Sequence, residues 1–440
     1  MPNPASPSFQ PELLALLADP GGGPAPGCAA AVFRSGGRNE IVCAGFADID
    51  ARRLPDPDTL FYAGSLAKQF TALAIVQQVL EGRVGLDDDI RRHLPEAPTR
   101  SSAVTVGMLL HHTSGLPNYA KLSPLAGHRS PRHLTREGVL RMLFAYPDTA
   151  FPPGDTFEYS NGGYLLLSEI VARLSGRSFG DYVRAHILEP LGMRRSRILE
   201  APLPADPNRA IGYLPTTNGF AVSEEVPTFG GAGAIMLTLR ELGLWFDDIT
   251  SGERVWTPEV TQLMTAPALY ADGSPVILPI PGHIFGYAGG LMLSRDWVLH
   301  GGNFAGFQAM FGWLPGADLG VAVLCNRGDV DPLKMATRIV AAAAPEAPPP
   351  DAPRFTLAGL EGRFASDLTS AVYDVTTDAD GETLRLSISP AGGGEPVSMT
   401  LASTGGGAYA DGAFRLLYDP DRRAFRLFNE GVAVRCRRLA

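Results

Sequence analysis

The chain has 440 residues and a formal net charge of −9, with 45% hydrophobic and 19% charged residues. That balance excludes a disordered chain and argues against a nucleic-acid binder, which would carry a net basic footprint. The length allows two or three domains, the largest with a substantial core.

The N-terminal stretch MPNPASPSFQPELLALLADPGGGPAPG lacks a basic n-region and a sustained apolar run, so no signal peptide is expected. No apolar run in the chain approaches the roughly 18–20 residues needed to span a bilayer, so no membrane association is expected. Cys28 to Asp50 predicts a hairpin, with "CAAAVF" and "EIVCAGFADI" flanking a glycine turn. After Ser65, "LAKQFTALAIVQQVLEGRVG" has apolar residues at helical spacing and ends near glycine. "TVGMLLHHTSGLP" predicts a short helix closed by a turn. "NGGYLLLSEIVARLSG" and "FGDYVRAHILEPLGM" predict two more helices. Between Lys121 and Arg141 five basic residues stand against one acid, which reads as a solvated loop and helix face rather than an anion site. From Gly286 to Asn326 apolar and β-branched runs alternate with glycine turns, so several strands of one sheet are expected. "DPLKMATRIVAAAAP" then predicts a closing helix.

A Pro-rich segment, residues 345–354, predicts an extended linker between a domain of residues 1–344 and one of residues 355–440. The second domain reads as a small all-β barrel, with one hairpin around Asp380-Gly381. The first reads as mixed α/β (α+β), with strands from both ends of its sequence and helices between. Cys28, Cys43, Cys325 and Cys436 show no CxxC or metal spacing, so buried free thiols in a reducing, cytoplasmic compartment are expected.

Three stretches carry chemistry. In "AGSLAKQF", Ser65 and Lys68 lie three apart on one helix face, where their side chains can meet. A serine hydroxyl is a nucleophile only if a neighbour takes its proton, and a lysine does so only with a depressed pKa. If Ser65 opens its helix, its N–H is also available to an oxyanion. Alone, this spacing arises by chance in many chains. "FPPGDTFEYSNGGYLLL" places Tyr159 and Asn161 in a turn before a helix, as a phenol that relays a proton and an amide that holds lysine and substrate. "VLHGGNFAG" ends a strand at His300, with Gly301 and Gly302 admitting a substrate along the edge and the Asn303 N–H as a second oxyanion donor.

In the order S-x-x-K, Y-x-N, H-G-G these motifs resemble the serine β-lactamase and penicillin-binding-protein superfamily, specifically its class C-like esterase and peptidase branch. The resemblance runs from about Phe61 to Asn326 and includes "LLHHTSGLP", "YVRAHILEPLGM" and "LHGGNFAGF". It implies a β-lactamase/DD-peptidase-like fold with a central antiparallel sheet flanked by helices. It also implies Ser65 as acylated nucleophile, Lys68 as base, Tyr159 as proton shuttle and Asn161 as substrate and lysine ligand. His300 stands where many relatives carry the lysine of K-T-G, a weaker anchor for a substrate carboxylate that puts antibiotic hydrolysis in doubt.

With a lipocalin-like C-terminal domain, the resemblance extends to penicillin-binding-protein-type thioesterases. These offload and macrocyclise nonribosomal peptides, with a peptidyl donor on a carrier-protein pantetheine thioester. D-stereospecific aminopeptidases, amidases and esterases, with water as acceptor, are the alternative. A catalytically silent peptide-binding protein is the reading of another class, and the intact Ser65, Lys68 and Tyr159 set speaks against it. No cofactor and no metal are implied. "GRSFG" lacks the strand that a nucleophile elbow needs, so Ser178 is expected in a turn. His111 and His112 are expected to be structural, and "GGAGAIML" to be a wall of the site rather than a phosphate loop.

Overall fold

A computed structural model describes residues 25–346, except 126–133, 201–205, 224–228, 281–282, 295 and 316. Towards the C-terminus it describes 361–366, 369, 371–377, 383–391, 393–405, 408–410, 414–419, 424–429 and 432–439. The expectations for the N-terminal stretch before residue 25, for the linker beyond residue 346 and for the Asp380-Gly381 turn lie outside the described residues. The chain divides into two compact units, residues 1–276 with 287–349, and residues 277–286 with 350–440.

In the first unit an antiparallel sheet runs in the order Glu40–Ala44, Cys28–Phe33, Leu319–Cys325, Phe307–Leu314, Val298–Phe304 and Met292–Leu293. Strands from the two ends of the sequence meet one strand in from the Glu40–Ala44 edge, where Cys28 to Phe33 pair with Cys325 to Gly320. Both strands are buried along their whole length, as their continuous apolar sequences require. Asn326, fully buried, fastens the seam: its Oδ1 accepts the Gly27 N–H at 2.7 Å and its amide donates to the Ile211 carbonyl at 2.7 Å. Helices Leu239–Ser251 and Pro332–Ala343 pack on this sheet, with Phe246 stacked 5.9 Å from Phe33. Each fully buried Leu or Phe of this core contributes about 1.5–3 kcal/mol.

The free-thiol expectation is corrected for one pair. Cys28 and Cys325, 297 residues apart in sequence, are direct partners across the two strands and are joined by a disulfide. Spacing along the chain held no sign of this, because only the sheet register brings them together. Cys43 and Cys436 are free.

Helix Ala67–Leu80 is buried almost all round, so its residues reach the interior whatever their polarity. It packs against helix Asn161–Ser175, which Ser160 caps through its side chain and Gly176 ends in the left-handed region. Ser178 caps helix Phe179–Val183 by accepting the Asp181 N–H at 3.1 Å, in the turn expected for it. The helix read through "FGDYVRAHILEPLGM" is interrupted by a π-turn at Arg184–Leu188.

In the second unit eight strands, from Gly362–Ala365 to Val432–Arg438, close into an antiparallel barrel through Phe364 opposite Arg438. Phe364, Tyr373, Val375, Leu384, Leu386 and Phe425 fill its own core at alternate positions. The hairpin Ile277–Ile280 with His283–Tyr287, which the sequence reading did not single out, makes up that unit's first segment, residues 277–286, while its last residue, Tyr287, belongs to the first unit. Among the described residues no helix is long and apolar enough to cross a membrane.

Candidate active site

A small three-stranded sheet assembles the nucleophile. Phe61–Tyr62 pairs with Ile235–Leu237, and the Ala63 N–H donates to the Ile235 carbonyl at 2.9 Å. The segment before Ser65 thereby lies antiparallel to the segment after Ala232. Ser65 sits in a 3₁₀ turn, Gly64–Leu66, that leads directly into helix Ala67–Leu80. Gly64 has φ of +55° and Gly302 lies against this turn. A Cβ on Gly302 would stand 2.0 Å from the Ala63 carbonyl and 3.0 Å from the Ser65 nitrogen.

Lys68 is fully buried one turn after Ser65. Its Nζ lies 3.1 Å from Ser65 Oγ, 2.8 Å from Asn161 Oδ1 and 2.5 Å from the Ala232 carbonyl. Burial pushes the ammonium well below its ordinary pKa. A neutral amine has two N–H bonds and one lone pair. The amide oxygen of Asn161 and the carbonyl of Ala232 only accept, so they take both hydrogens. The lone pair is left for the Ser65 hydroxyl, which is the orientation a general base needs.

Tyr159 is half-buried at the mouth of this cluster, with its hydroxyl hydrogen-bonded to Ser65 and its ring face 4.6 Å from Lys68 Nζ. Burial raises its phenol pKa. The phenol therefore stays protonated and donates as well as accepts. Asn161 opens helix Asn161–Ser175, so its side chain leaves the helix start towards Lys68.

His300 lies in strand Val298–Phe304 and is buried, with both ring nitrogens engaged. Nδ1 is 2.6 Å from the Gly301 carbonyl and Nε2 is 3.4 Å from the Tyr287 hydroxyl. Burial pushes its pKa down to about 3. The expectation of an imidazole anchoring a substrate carboxylate thus meets a neutral ring whose nitrogens already have partners. Pairing with Met292–Leu293 stops at Val298 and Leu299, so from His300 onward this edge of the strand has no strand partner among the described residues. Asn303 is exposed there, and its backbone nitrogen would meet a Cβ added to Gly64 at 2.9 Å. Ser65, Lys68, Tyr159, Asn161 and the His300–Asn303 strand therefore converge on one place.

Sequence reasoning missed the Ala232 carbonyl, because a backbone acceptor has no residue signature. The glycine run around it was the available signal. Gly231 admits no side chain beside Thr71, whose Oγ1 donates to the Gly231 carbonyl at 2.8 Å, and this seats the turn on the lysine helix. Among the described residues no cluster of His, Cys, Asp and Glu is arranged to hold a metal.

The β-lactamase family model matches residues 15–344. The D-aminopeptidase of Gluconobacter oxydans is 28% identical over 319 residues, 71% of this chain and 58% of that protein. The D-aminopeptidase of Cereibacter sphaeroides is 26% identical over 376 residues, 83% of this chain and 68% of that protein. This chain thus spans less than two thirds of the Gluconobacter protein's length. In structure it resembles the D-amino acid amidase of Ochrobactrum anthropi SV3, with a TM-score of 0.65 and 23% identity over 76% of this chain and 98% of that one. It also resembles the octameric penicillin-binding protein homologue of Pyrococcus abyssi, with a TM-score of 0.65 and 23% identity over 97% of this chain and 98% of that one. The chain belongs to the β-lactamase family of serine hydrolases, alongside penicillin-binding proteins and D-aminopeptidases.

Proposed function

We propose that this chain hydrolyses amides or short peptides of D-amino acids through an acyl-enzyme on Ser65. The observation that carries the reading is Lys68 Nζ at 3.1 Å from Ser65 Oγ, with the Asn161 Oδ1 and Ala232 carbonyl acceptors at 2.8 and 2.5 Å, an arrangement in which a neutral amine has its lone pair left for Ser65. Ser65 gives its proton to Lys68 as Oγ attacks the amide carbonyl, and the oxyanion faces the backbone amides of Ser65 and Asn303. Tyr159 passes a proton to the leaving amine, and the C–N bond breaks to give the acyl-ester. Water then adds and releases the acid, so one amide and one water give one acid and one amine. The D-amino-acid substrate class is supported by the D-aminopeptidase relatives and the amidase-like fold.

A second reading has one specific observation in its favour, the closed C-terminal barrel, which we assign as lipocalin-like. In that reading the donor is a peptidyl thioester on a carrier protein and the peptide's own amine replaces water, giving a macrocycle. That outcome requires amine capture to outcompete hydrolysis of the acyl-ester.

One panel separates the two. The full chain is incubated with D- and L-phenylalanine amide and with linear peptidyl thioesters ending in a D- or L-residue, and products are identified by mass spectrometry. Release of D-phenylalanine, lost in Ser65→Ala, is the expected result. Cyclic product from thioesters with no amide turnover would replace the first reading by the second.

A further inference from the structure

His112 is buried with φ of +59°, a left-handed conformation that side chains seldom adopt. Its carbonyl accepts the Glu158 N–H at 2.9 Å, and its ring Nδ1 lies 3.0 Å from the Ser160 nitrogen. It therefore grips the Tyr159 turn on both sides, and its ring lies 4.3 Å from the Tyr159 ring, centroid to centroid.

The backbone groups at the two ends of this cluster fix the tautomers. An amide N–H only donates, so Nδ1 of His112 is bare and its hydrogen sits on Nε2, 3.0 Å from the Tyr287 hydroxyl. A carbonyl only accepts, so Nδ1 of His300 carries the hydrogen that goes to Gly301. Its Nε2 is then bare, 3.4 Å from the same Tyr287 hydroxyl. Tyr287 accepts from one imidazole and presents its hydrogen to the other. Tyr164, beside Tyr287, gives its own hydrogen to the Leu110 carbonyl at 2.8 Å.

We infer that His112, Tyr287 and His300 are positioning residues of the acyl-transfer site, forming a neutral hydrogen-bond chain that holds the Tyr159–Asn161 turn in register with the His300–Asn303 strand. The inference rests on the acyl-enzyme reading above, because it concerns the two flanks of that site. One flank presents the Tyr159 hydroxyl and the Asn161 amide, the other the Asn303 N–H. A misplacement of about 1 Å between such groups costs about 10²-fold in rate. Neither imidazole can take a second proton without losing the lone pair that accepts from Ser160 or Tyr287. Burial holds both rings neutral.

The test uses the rate at which a fluorophosphonate labels Ser65, followed by intact mass, which is independent of the natural substrate. His112→Asn places an amide oxygen where Nδ1 stood and tolerates the left-handed backbone but loses the Nε2 link to Tyr287, so labelling should fall between the parent chain and His112→Ala. His112→Ala removes the acceptor and should slow labelling at least about tenfold. Both variants are compared at matched melting temperature. A His112→Ala chain that labels at the parent rate would overturn the inference.

Because His112→Ala can fail to fold, long-range proton–nitrogen NMR of the parent chain is the second readout. It should show His112 with its hydrogen on Nε2 and His300 with its hydrogen on Nδ1. The opposite tautomer at either ring would overturn the chain. A parent chain that labels at Ser65 but turns over no D-amino-acid amide removes the substrate assignment alone. One that does not label removes the acyl-enzyme and the positioning role together.

Discussion

Lys68 meets opposing influences, and their balance decides what Ser65 can do. The ring faces of Tyr159 and Tyr164, at 4.6 and 5.3 Å, and the Ala232 carbonyl favour an ammonium. Complete burial with no negative charge among its three partners favours the amine, and desolvation is the larger effect. Lys68→Ala and Tyr159→Phe should each slow Ser65 acylation by about 10² to 10⁴; near-normal acylation of Lys68→Ala contradicts the assigned base.

The buried imidazoles predict a stability profile as well. His111 and His300 titrate at about 4 and about 3 when folded, both lowered first by burial, against an ordinary value of 6.5 when unfolded. The unfolded chain therefore binds more protons between these values. The stabilisation is fully present above pH 6.5 and is lost as pH falls towards 3. The melting temperature should drop from pH 6.5 to pH 4, and less steeply in His300→Gln; equal slopes would contradict a neutral buried His300. Ser65, Lys68, Tyr159 and Asn161 were read from three motifs taken together rather than from any one spacing, and the structure brings them to one cluster. His112 was read as structural because nothing in "HHTSG" shows which backbone groups its ring will meet.

The elements that carry these residues were largely written in the chain. Helix Asn161–Ser175 begins at the motif asparagine, directly after its Ser160 cap, and ends at Gly176 with φ of +66°. The three-stranded sheet that brings Ala232 to Lys68 was not legible, because its strands are two or three residues long and distant in sequence. Basic residues 121–141 read as a solvated face. Among those described, Lys121 pairs with Glu158 at 2.6 Å and Arg136 forms a two-pronged pair with the buried Glu169 carboxylate. Gly302→Ala tests the closeness of strand and nucleophile turn directly. Its Cβ cannot share space with the Ala63 carbonyl, so labelling of Ser65 should fall at least about tenfold and the melting temperature should drop. A variant with parent-like labelling and stability would show that the two segments are not packed together.

At the scale of the whole molecule, hairpin turns flanked by strands read as a small all-β barrel over residues 355–440, and eight strands among the described residues form a closed barrel with its own core. The grouping of residues 277–286 with that unit had no sequence signal, since it joins segments more than sixty residues apart. The Cys28–Cys325 bridge likewise depends on register alone. Alkylation of the chain under denaturing, non-reducing conditions should modify Cys43 and Cys436 only. Four modified cysteines would restore the free-thiol expectation.

The central claim is that Ser65 is the acylated group. Its most direct test is peptide mapping of the full chain after fluorophosphonate treatment, with Ser65→Ala in parallel. One adduct is expected, on Ser65, and none in the folded Ser65→Ala chain; a folded parent chain without an adduct, or an adduct that survives the substitution, would show that Ser65 is not the acylated group.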